Sequence, residues 1–248
     1  MNIYQRIWNA YAIFKAGQSH VIRTGYSYYG VYRMPKDGQN DFYRRESDLE
    51  HVAGFMWLVQ QINLFRPDLV SDEDLKMMSL VASLHEIGEV FEGDTPDDGR
   101  RNDDDKNTKE LMHVVAYCEL LPEEAKMEAL QIFTEFQEKS TPRGRLLYMC
   151  DKADGTLQTL LYRMEGREGS PEVKRKLYSR LSVQDCRAID LTESSEMSDI
   201  WALSFAEKCR DYEGFEFFWN LLLIASMEVR GHGFSWARKI GLSDVATA

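Results

Sequence analysis

Apolar and polar residues alternate along most of the chain with the spacing of amphipathic helices. Residues 50–65 are apolar on almost every side, which is typical of a central helix, and Pro67 ends that run. Ser71 followed by Asp74 resembles a capping box with Asp in place of the usual Glu or Gln. We therefore expect the next helix over 72–90.

The same periodicity continues to the C-terminus and predicts an all-α protein with a single core. No alternation of strands with helices, glycine-rich phosphate loop or internal repeat is found. The string FEFFWNLLL near the C-terminus is interpreted as core packing or a dimer face, so a homodimer is expected. Loops are expected over 18–45 and 92–107. Further helices are expected over 3–15, 108–120, 122–137, 143–165, 172–182 and 195–230.

Composition and charge narrow the class of protein. Hydrophobic residues make up 44% of the 248 residues, which is enough for a sizeable core. The net charge of −11 argues against binding to a nucleic acid polymer, which needs dense Lys and Arg. A local basic pocket for a small phosphate compound stays compatible with that charge.

Cysteine usage and hydropathy predict a cytoplasmic protein without membrane association. Cys118, Cys150, Cys186 and Cys209 form no CxxC pair, so we expect free thiols. No run of about 18 apolar residues occurs. The first residues lack the continuous apolar segment of a signal peptide.

The stretch SLHEIGEVFEGDTP, at 83–96, places four side chains of metal-binding or acid–base type at the end of an apolar run. His85 and Glu89 are four residues apart and share one helical face. Glu86 is turned away from His85 by about 100° in an ideal helix. Asp94 follows Gly93 in the same stretch.

Two residues elsewhere join this set as candidates for a metal site. His51 opens the central helix, and Asp151 lies in a helix whose other face is apolar. An ionised Asp in that setting needs a partner. Imidazoles and carboxylates converging from three helices would suit a divalent transition metal. Alternatively, Asp151 pairs with Lys152, Lys139 or an arginine, and Asp154 competes for the ligand role.

The order of these residues resembles that of the HD-domain metal-dependent phosphohydrolases, in which two His and two Asp hold the metal. The resemblance is closest to the bacterial 5′-deoxynucleotidases of this superfamily and their eukaryotic HD-domain relatives. Those proteins carry Arg-x-Gly-Trp, Glu-Ser-Val-x-(Glu/Asp)-His, His-Asp-x-x-Glu-x-x-x-Gly-Asp-x-x-Pro and a late Asp. The matching strings, within about residues 20–165, are RTGY at 23–26, ESDLEH at 46–51, HEIGEVFEGDTP at 85–96, and Asp151.

The resemblance implies a set of metal ligands and an activity. His51, His85, Glu86 and Asp151 would hold a divalent ion, which could be Co, Mn, Zn, Fe or Mg. Glu89 would position or deprotonate the attacking water, or otherwise handle protons near the phosphate. The reaction would be hydrolysis of (deoxy)nucleoside 5′-monophosphates to nucleoside and phosphate, with a small-molecule nucleotide as the binding partner.

The resemblance also implies substrate-binding residues and a domain organisation. Arg23 would pair with the 5′-phosphate through its forked donors, and Tyr26 would stack near the nucleoside. Asp94 would contact the sugar or assist the leaving group. The fold would be an HD-domain helical bundle over 1–170, with a C-terminal helical extension over 171–248 packed on the same core.

Several positions depart from the family pattern and keep other functions open. Glu86 stands where the family has Asp, and Tyr26 stands where it has Trp. The alternatives are an HD phosphohydrolase acting on another nucleotide or phosphate ester, or a non-catalytic nucleotide-binding protein with a degenerate His-Glu site. A zincin peptidase is disfavoured, because the second His of HExxH is Glu89 here. Glu135 in TEFQEKSTP also resembles a family glutamate.

Overall fold

The structure of the protein is a computed structural model. It describes residues 2, 4–5, 7–8, 48–85, 103–119, 121–164 and 171–242. Residues 4, 5, 7 and 8 are helical, as expected within the helix predicted over 3–15. The predicted loop over 18–45 lies outside the described residues.

Helices account for the fold of the described residues, and no β-strand occurs among them, so the all-α prediction is confirmed. The defined elements are α1 (Asp48–Phe65), α2 (Asp72–Leu84), α3 (Asp103–Cys118), α4 (Glu123–Glu138), α5 (Pro142–Met164), α6 (Pro171–Tyr178), α7 (Val183–Ile189), α8 (Met197–Cys209), α9 (Phe215–Arg230) and a 3-10 turn at Ala237–Ile240.

Local sequence signals explain several helix ends. Ser71 caps α2 as predicted, since its hydroxyl accepts a 3.1 Å hydrogen bond from the backbone N–H of Asp74. Helix α3 begins at Asp103, five residues before the predicted start, so the loop predicted to run to 107 is too long. Acidic residues favour the first turn of a helix because they complement its dipole.

The prediction of one continuous helix over 195–230 is wrong. This segment is divided into α8 and α9 by a turn that includes Gly214, whose φ is +87°. This left-handed backbone conformation is open to glycine at little cost and ends a right-handed helix. Helix α7 was also missed, and its N-cap is Ser182, which accepts a bond from the N–H of Asp185.

The described residues fall into two compact units. The central unit comprises those within 48–152 and 212–214, and the terminal unit comprises those within 1–47, 153–211 and 215–248. Helix α5 contributes residues to each. The division into an HD-type domain over 1–170 and an extension over 171–248 stays a prediction.

The core of the central unit is built on α1. Its side chains Phe55, Leu58 and Ile62 are completely buried. Helix α2 packs against α1 and α4, and α4 also packs against α3. Val81 of α2 and Phe133 of α4 are likewise inaccessible to solvent. The prediction of a central helix over 50–65 is therefore confirmed.

A buried carboxylate, that of Glu135, ties α4 to α5 in the central unit. It accepts hydrogen bonds from Gln131 and Thr141, each 2.9 Å long, and from Nε and Nη2 of Arg143, each 3.1 Å long. Arg143 also donates to Asp74 on α2 at 3.1 Å. The two helices approach so closely here that a Cβ at Gly144 would collide with the carbonyl group of Glu135.

This network makes stability depend on pH. Burial alone would raise the pKa of Glu135, but the bonds from Arg143, Gln131 and Thr141 outweigh it and hold that pKa below its usual value. The ionised carboxylate therefore stabilises the fold above the unfolded pKa of about 4.3, and this contribution is lost as the pH falls through the folded pKa. Urea unfolding should show the wild type more stable than Glu135→Gln near neutral pH, with the difference shrinking below about pH 4.

The exposed neighbour Glu138 provides the control for that comparison. Glu138→Gln changes the same charge on the same helix without touching a buried network, so its effect should stay within about 0.5 kcal/mol. A Glu135→Gln difference that is constant with pH would contradict the assigned role of the Glu135 carboxylate.

Aromatic residues of α9 form the core of the terminal unit. Phe217 and Phe218 are at most 2% exposed, and the rings of Phe215 and Trp219 stack with centroids 5.9 Å apart. The string FEFFWNLLL thus serves core packing, one of the two interpretations of the sequence. The homodimer stays a prediction.

A buried guanidinium, that of Arg230, organises the end of α9. Its side chain is 2% exposed and pairs with Glu196 at 3.0 Å and with Asp199 at 3.1 Å. It also donates to the hydroxyl of Ser226 at 2.8 Å and to the carbonyl of Gly233 at 3.2 Å. Buried charges are tolerated when they are paired in this way.

The cysteines and the hydropathy of the helices bear on two expectations from the sequence. The four cysteines are all free, as predicted, and all four are buried. Within the described ranges, no helix combines the length and the apolar character needed to cross a membrane.

Candidate metal centre

Three side chains from three helices meet in the central unit. His51 lies in the first turn of α1, His85 is the C-terminal cap of α2, and Asp151 lies in the middle of α5. One potential ligand atom from each side chain lies within 4.8 Å of the others. Among the described residues, these three are the one group of at least three His, Cys, Asp or Glu side chains that could hold a metal ion.

The orientation of His85 is set by its own helix. Its Nδ1 atom lies 2.7 Å from the carbonyl oxygen of Ala82. A carbonyl oxygen only accepts hydrogen bonds, so Nδ1 carries a proton, and Nε2 is the ring nitrogen that could bind a metal ion. Histidine ligands in metal sites are commonly fixed by such a bond from the other ring nitrogen.

Aromatic rings surround the two imidazoles. The ring centroid of Phe55 lies 4.8 Å from that of His85 in an edge-to-face arrangement, and Phe136 lies 6.1 Å away. The rings of His51 and His85 are themselves 5.1 Å apart. This packing restricts the rotation of both imidazoles, and sequence reasoning did not identify Phe55 or Phe136 as part of the site.

The carboxylate of Asp151 is divided between two partners. Its Oδ1 lies 3.2 Å from Nε2 of His51, and its Oδ2 lies 2.7 Å from Nζ of Lys152. From the sequence, the pairing of Asp151 with Lys152 was an alternative to metal binding by Asp151. Because a carboxylate has two oxygens, the structure accommodates that pairing together with the approach to the histidines.

The electrostatics of the site keep Asp151 ionised. Burial alone would raise the pKa of Asp151. The positive charge of Lys152, the hydrogen bond and charge of His51, and the charge of His85 together hold that pKa far below its usual value. A metal ligand must be deprotonated, so the carboxylate is in the form that binds an ion.

These residues fit a divalent ion. Two imidazole nitrogens and one carboxylate oxygen are a donor set suited to transition metals. His85 and Asp151 are each at most 9% exposed, and the side chain of His51 is 17% exposed. The group is therefore shielded while one of its members keeps contact with solvent. A divalent ion bound there would supply a Lewis acid for a phosphoryl oxygen and lower the pKa of a bound water.

The structure places the other predicted site residues outside this group or outside its described part. Asp154, the competing carboxylate, is completely buried on α5 but does not belong to the group of three. The ligand role of His51, His85 and Asp151 stays a prediction, now with a geometry that suits it. The remaining predicted residues, namely Arg23, Tyr26, Glu86, Glu89 and Asp94, lie outside the described residues.

A lysine that sequence reasoning left out of the predicted site contacts Asp151, and a tyrosine lies near that lysine. Lys152 contacts the Asp151 carboxylate, and the ring centroid of Tyr148 lies 5.3 Å from Lys152 Nζ. Tyr148 and Lys152 are four residues apart on α5, so they share a face. The four-residue spacing of Tyr148 and Lys152, next to the candidate ligand Asp151, is the sequence signal that could have identified these two residues.

The family of the protein follows from comparison with known proteins. A family model described as HD domain matches residues 38–189, well over half of the chain. The chain therefore belongs to the HD-domain family, whose members are all-α and typically metal-dependent hydrolases. No curated protein and no solved structure shows a significant match.

Proposed function

We propose that the protein hydrolyses (deoxy)nucleoside 5′-monophosphates to nucleoside and phosphate, using a divalent metal ion. The observation that carries the hydrolase part is the convergence of His51, His85 and Asp151 in a chain of the HD-domain family. The preference for nucleoside monophosphates rests on the resemblance of the strings RTGY and HEIGEVFEGDTP to those of the 5′-deoxynucleotidases.

The proposed reaction divides its steps among residues of this chain. Arg23 binds the phosphate through paired donors. Glu89 removes a proton from the water whose oxygen attacks phosphorus. The bond between phosphorus and the 5′ oxygen then breaks, and this oxygen takes up the proton that the water gave to Glu89. Asp94 contacts the sugar and assists the departure of the nucleoside. Tyr26 stacks near the nucleoside.

The test is phosphate release from a panel of deoxy- and ribonucleoside 5′-monophosphates. The protein is stripped with a chelator and then supplied with Co²⁺, Mn²⁺, Zn²⁺ or Mg²⁺. We expect release only with an added ion, and the panel ranks sugars and bases. Release that is absent with every ion would contradict the proposal.

Glu86→Asp separates the enzyme from a non-catalytic nucleotide-binding protein. The Glu86 side chain stands where the family has the shorter Asp, and a carboxylate one methylene longer must approach an ion from a different angle. If activity falls in Glu86→Asp, then Glu86 is a working ligand. Activity that appears only in the variant would mean that the natural protein is a binder.

A further inference from the structure

A positively charged rim adjoins Asp151 on the central unit. The segment KSTPRGRLLYMCDK, at 139–152, contains four basic residues and one acidic residue in a chain of net charge −11. Arg143 is paired with Glu135 and Asp74, so the rim consists of Lys139 and Lys152. Nζ of Lys139 lies 4.6 Å from the ring centroid of Tyr148, and Nζ of Lys152 lies 5.3 Å from the same centroid. Two ammonium groups thus converge on one ring beside the candidate metal centre.

This convergence leaves positive charge available for an anion. Lys139 forms no ion pair with any carboxylate among the described residues. Lys152 pairs with Asp151. The carboxylate of Asp151 is also a candidate metal ligand, and a bound metal ion would neutralise much of the negative charge of that carboxylate. The face of an aromatic ring attracts cations, so Tyr148 holds both ammonium groups in place without neutralising them.

We propose that Lys152, with Lys139 as a second cation, binds the phosphate group of the substrate. This inference rests on the proposed function for the identity of the anion. Lys152 contacts one oxygen of Asp151 while the other oxygen faces His51. Because the same carboxylate is a candidate metal ligand, the ammonium group of Lys152 stands beside the centre that would act on the substrate phosphate. Lysine is a common point-charge partner of phosphate.

The test measures binding of inorganic phosphate to the full chain loaded with Co²⁺. Phosphate is titrated while the visible absorption of cobalt is recorded, and calorimetry is run in parallel. Loss of a charge-assisted hydrogen bond in Lys152→Met should raise the phosphate dissociation constant about tenfold or more. Lys139→Met should raise it less, and Lys152→Arg should keep most of the affinity.

Lys126→Met serves as the matched control. Lys126 is also a lysine of the central unit, but it pairs with Glu119 at 2.7 Å and lies outside the rim. The Lys126→Met variant should bind phosphate with the same affinity as the wild type. If Lys152→Met alters the affinity for Co²⁺ but not for phosphate, Lys152 only positions Asp151, and the inference is overturned.

Failure of the proposed function gives a different result from failure of this inference. If the wild type takes up no metal, the metal-dependent function fails, and calorimetry with metal-free protein decides the role of Lys152. Weaker phosphate binding in Lys152→Met then supports the inference. Equal binding, or no phosphate binding by the wild type, overturns it.

Discussion

His51→Ala should lose both metal binding and phosphate release. The substitution removes one of the three ligand groups that converge from α1, α2 and α5. Loss of an outer partner of a metal ligand typically weakens metal binding about 10- to 100-fold. Loss of a ligand itself should weaken it by about 100-fold at least. Calorimetric titration with Co²⁺ and a phosphate-release assay measure the two effects separately.

His113→Ala is the matched control for this variant. His113 is a half-buried histidine on α3 of the same unit, and it is not part of the three-residue group. The His113→Ala variant should bind Co²⁺ with wild-type affinity. If His51→Ala bound metal and released phosphate as well as His113→Ala does, the site would have to lie elsewhere. Urea unfolding of both variants shows whether any loss arises from unfolding.

Arg230→Met should cause the largest loss of stability among the substitutions considered. Methionine keeps much of the side-chain volume but leaves Glu196 and Asp199 without their buried cation. Removing one partner of a buried ion pair typically costs about 3–5 kcal/mol. The free energy of unfolding, obtained from urea denaturation, should fall by an amount in that range.

Arg163→Met tests whether the burial of Arg230 is the reason for the large expected loss of stability. Arg163 pairs with the same Glu196 at 2.8 Å, but its side chain is 43% exposed. Exposed ion pairs contribute at most about 1 kcal/mol. We therefore expect a clear gap between the two variants, and equal losses would show that burial of Arg230 does not matter.

Helix positions could be predicted well where short-range signals were strong. The Ser71 cap and the apolar run over 50–65 specify α2 and α1 locally, because capping and hydrophobic periodicity act within a few residues. The break at Gly214 was missed because the flanking segments are both helical in pattern. Glycine lowers helix stability only modestly, so its φ of +87° reflects packing rather than composition.

The candidate site was predictable in its residue types but not in its contacts. His51, His85 and Asp151 were identified from their chemistry and from the family resemblance. Asp151 was preferred to Asp154 only from the family resemblance, because residues three apart on a helix point in similar directions. The structure brings Asp151 to His51 and excludes Asp154 from the group of three.

The amino-acid sequence by itself determined that the protein is all-α, that its cysteines stay free, and that its motifs resemble those of the HD-domain family. These properties depend on composition, periodicity and short motifs. The tertiary structure decided that one carboxylate faces both His51 and Lys152, and that two lysines share the ring of Tyr148. The contact of Asp151 with His51 joins residues far apart in the chain and depends on helix packing. The contacts of Lys152 and Tyr148 are local, but they depend on the direction of each side chain, which no sequence pattern specifies.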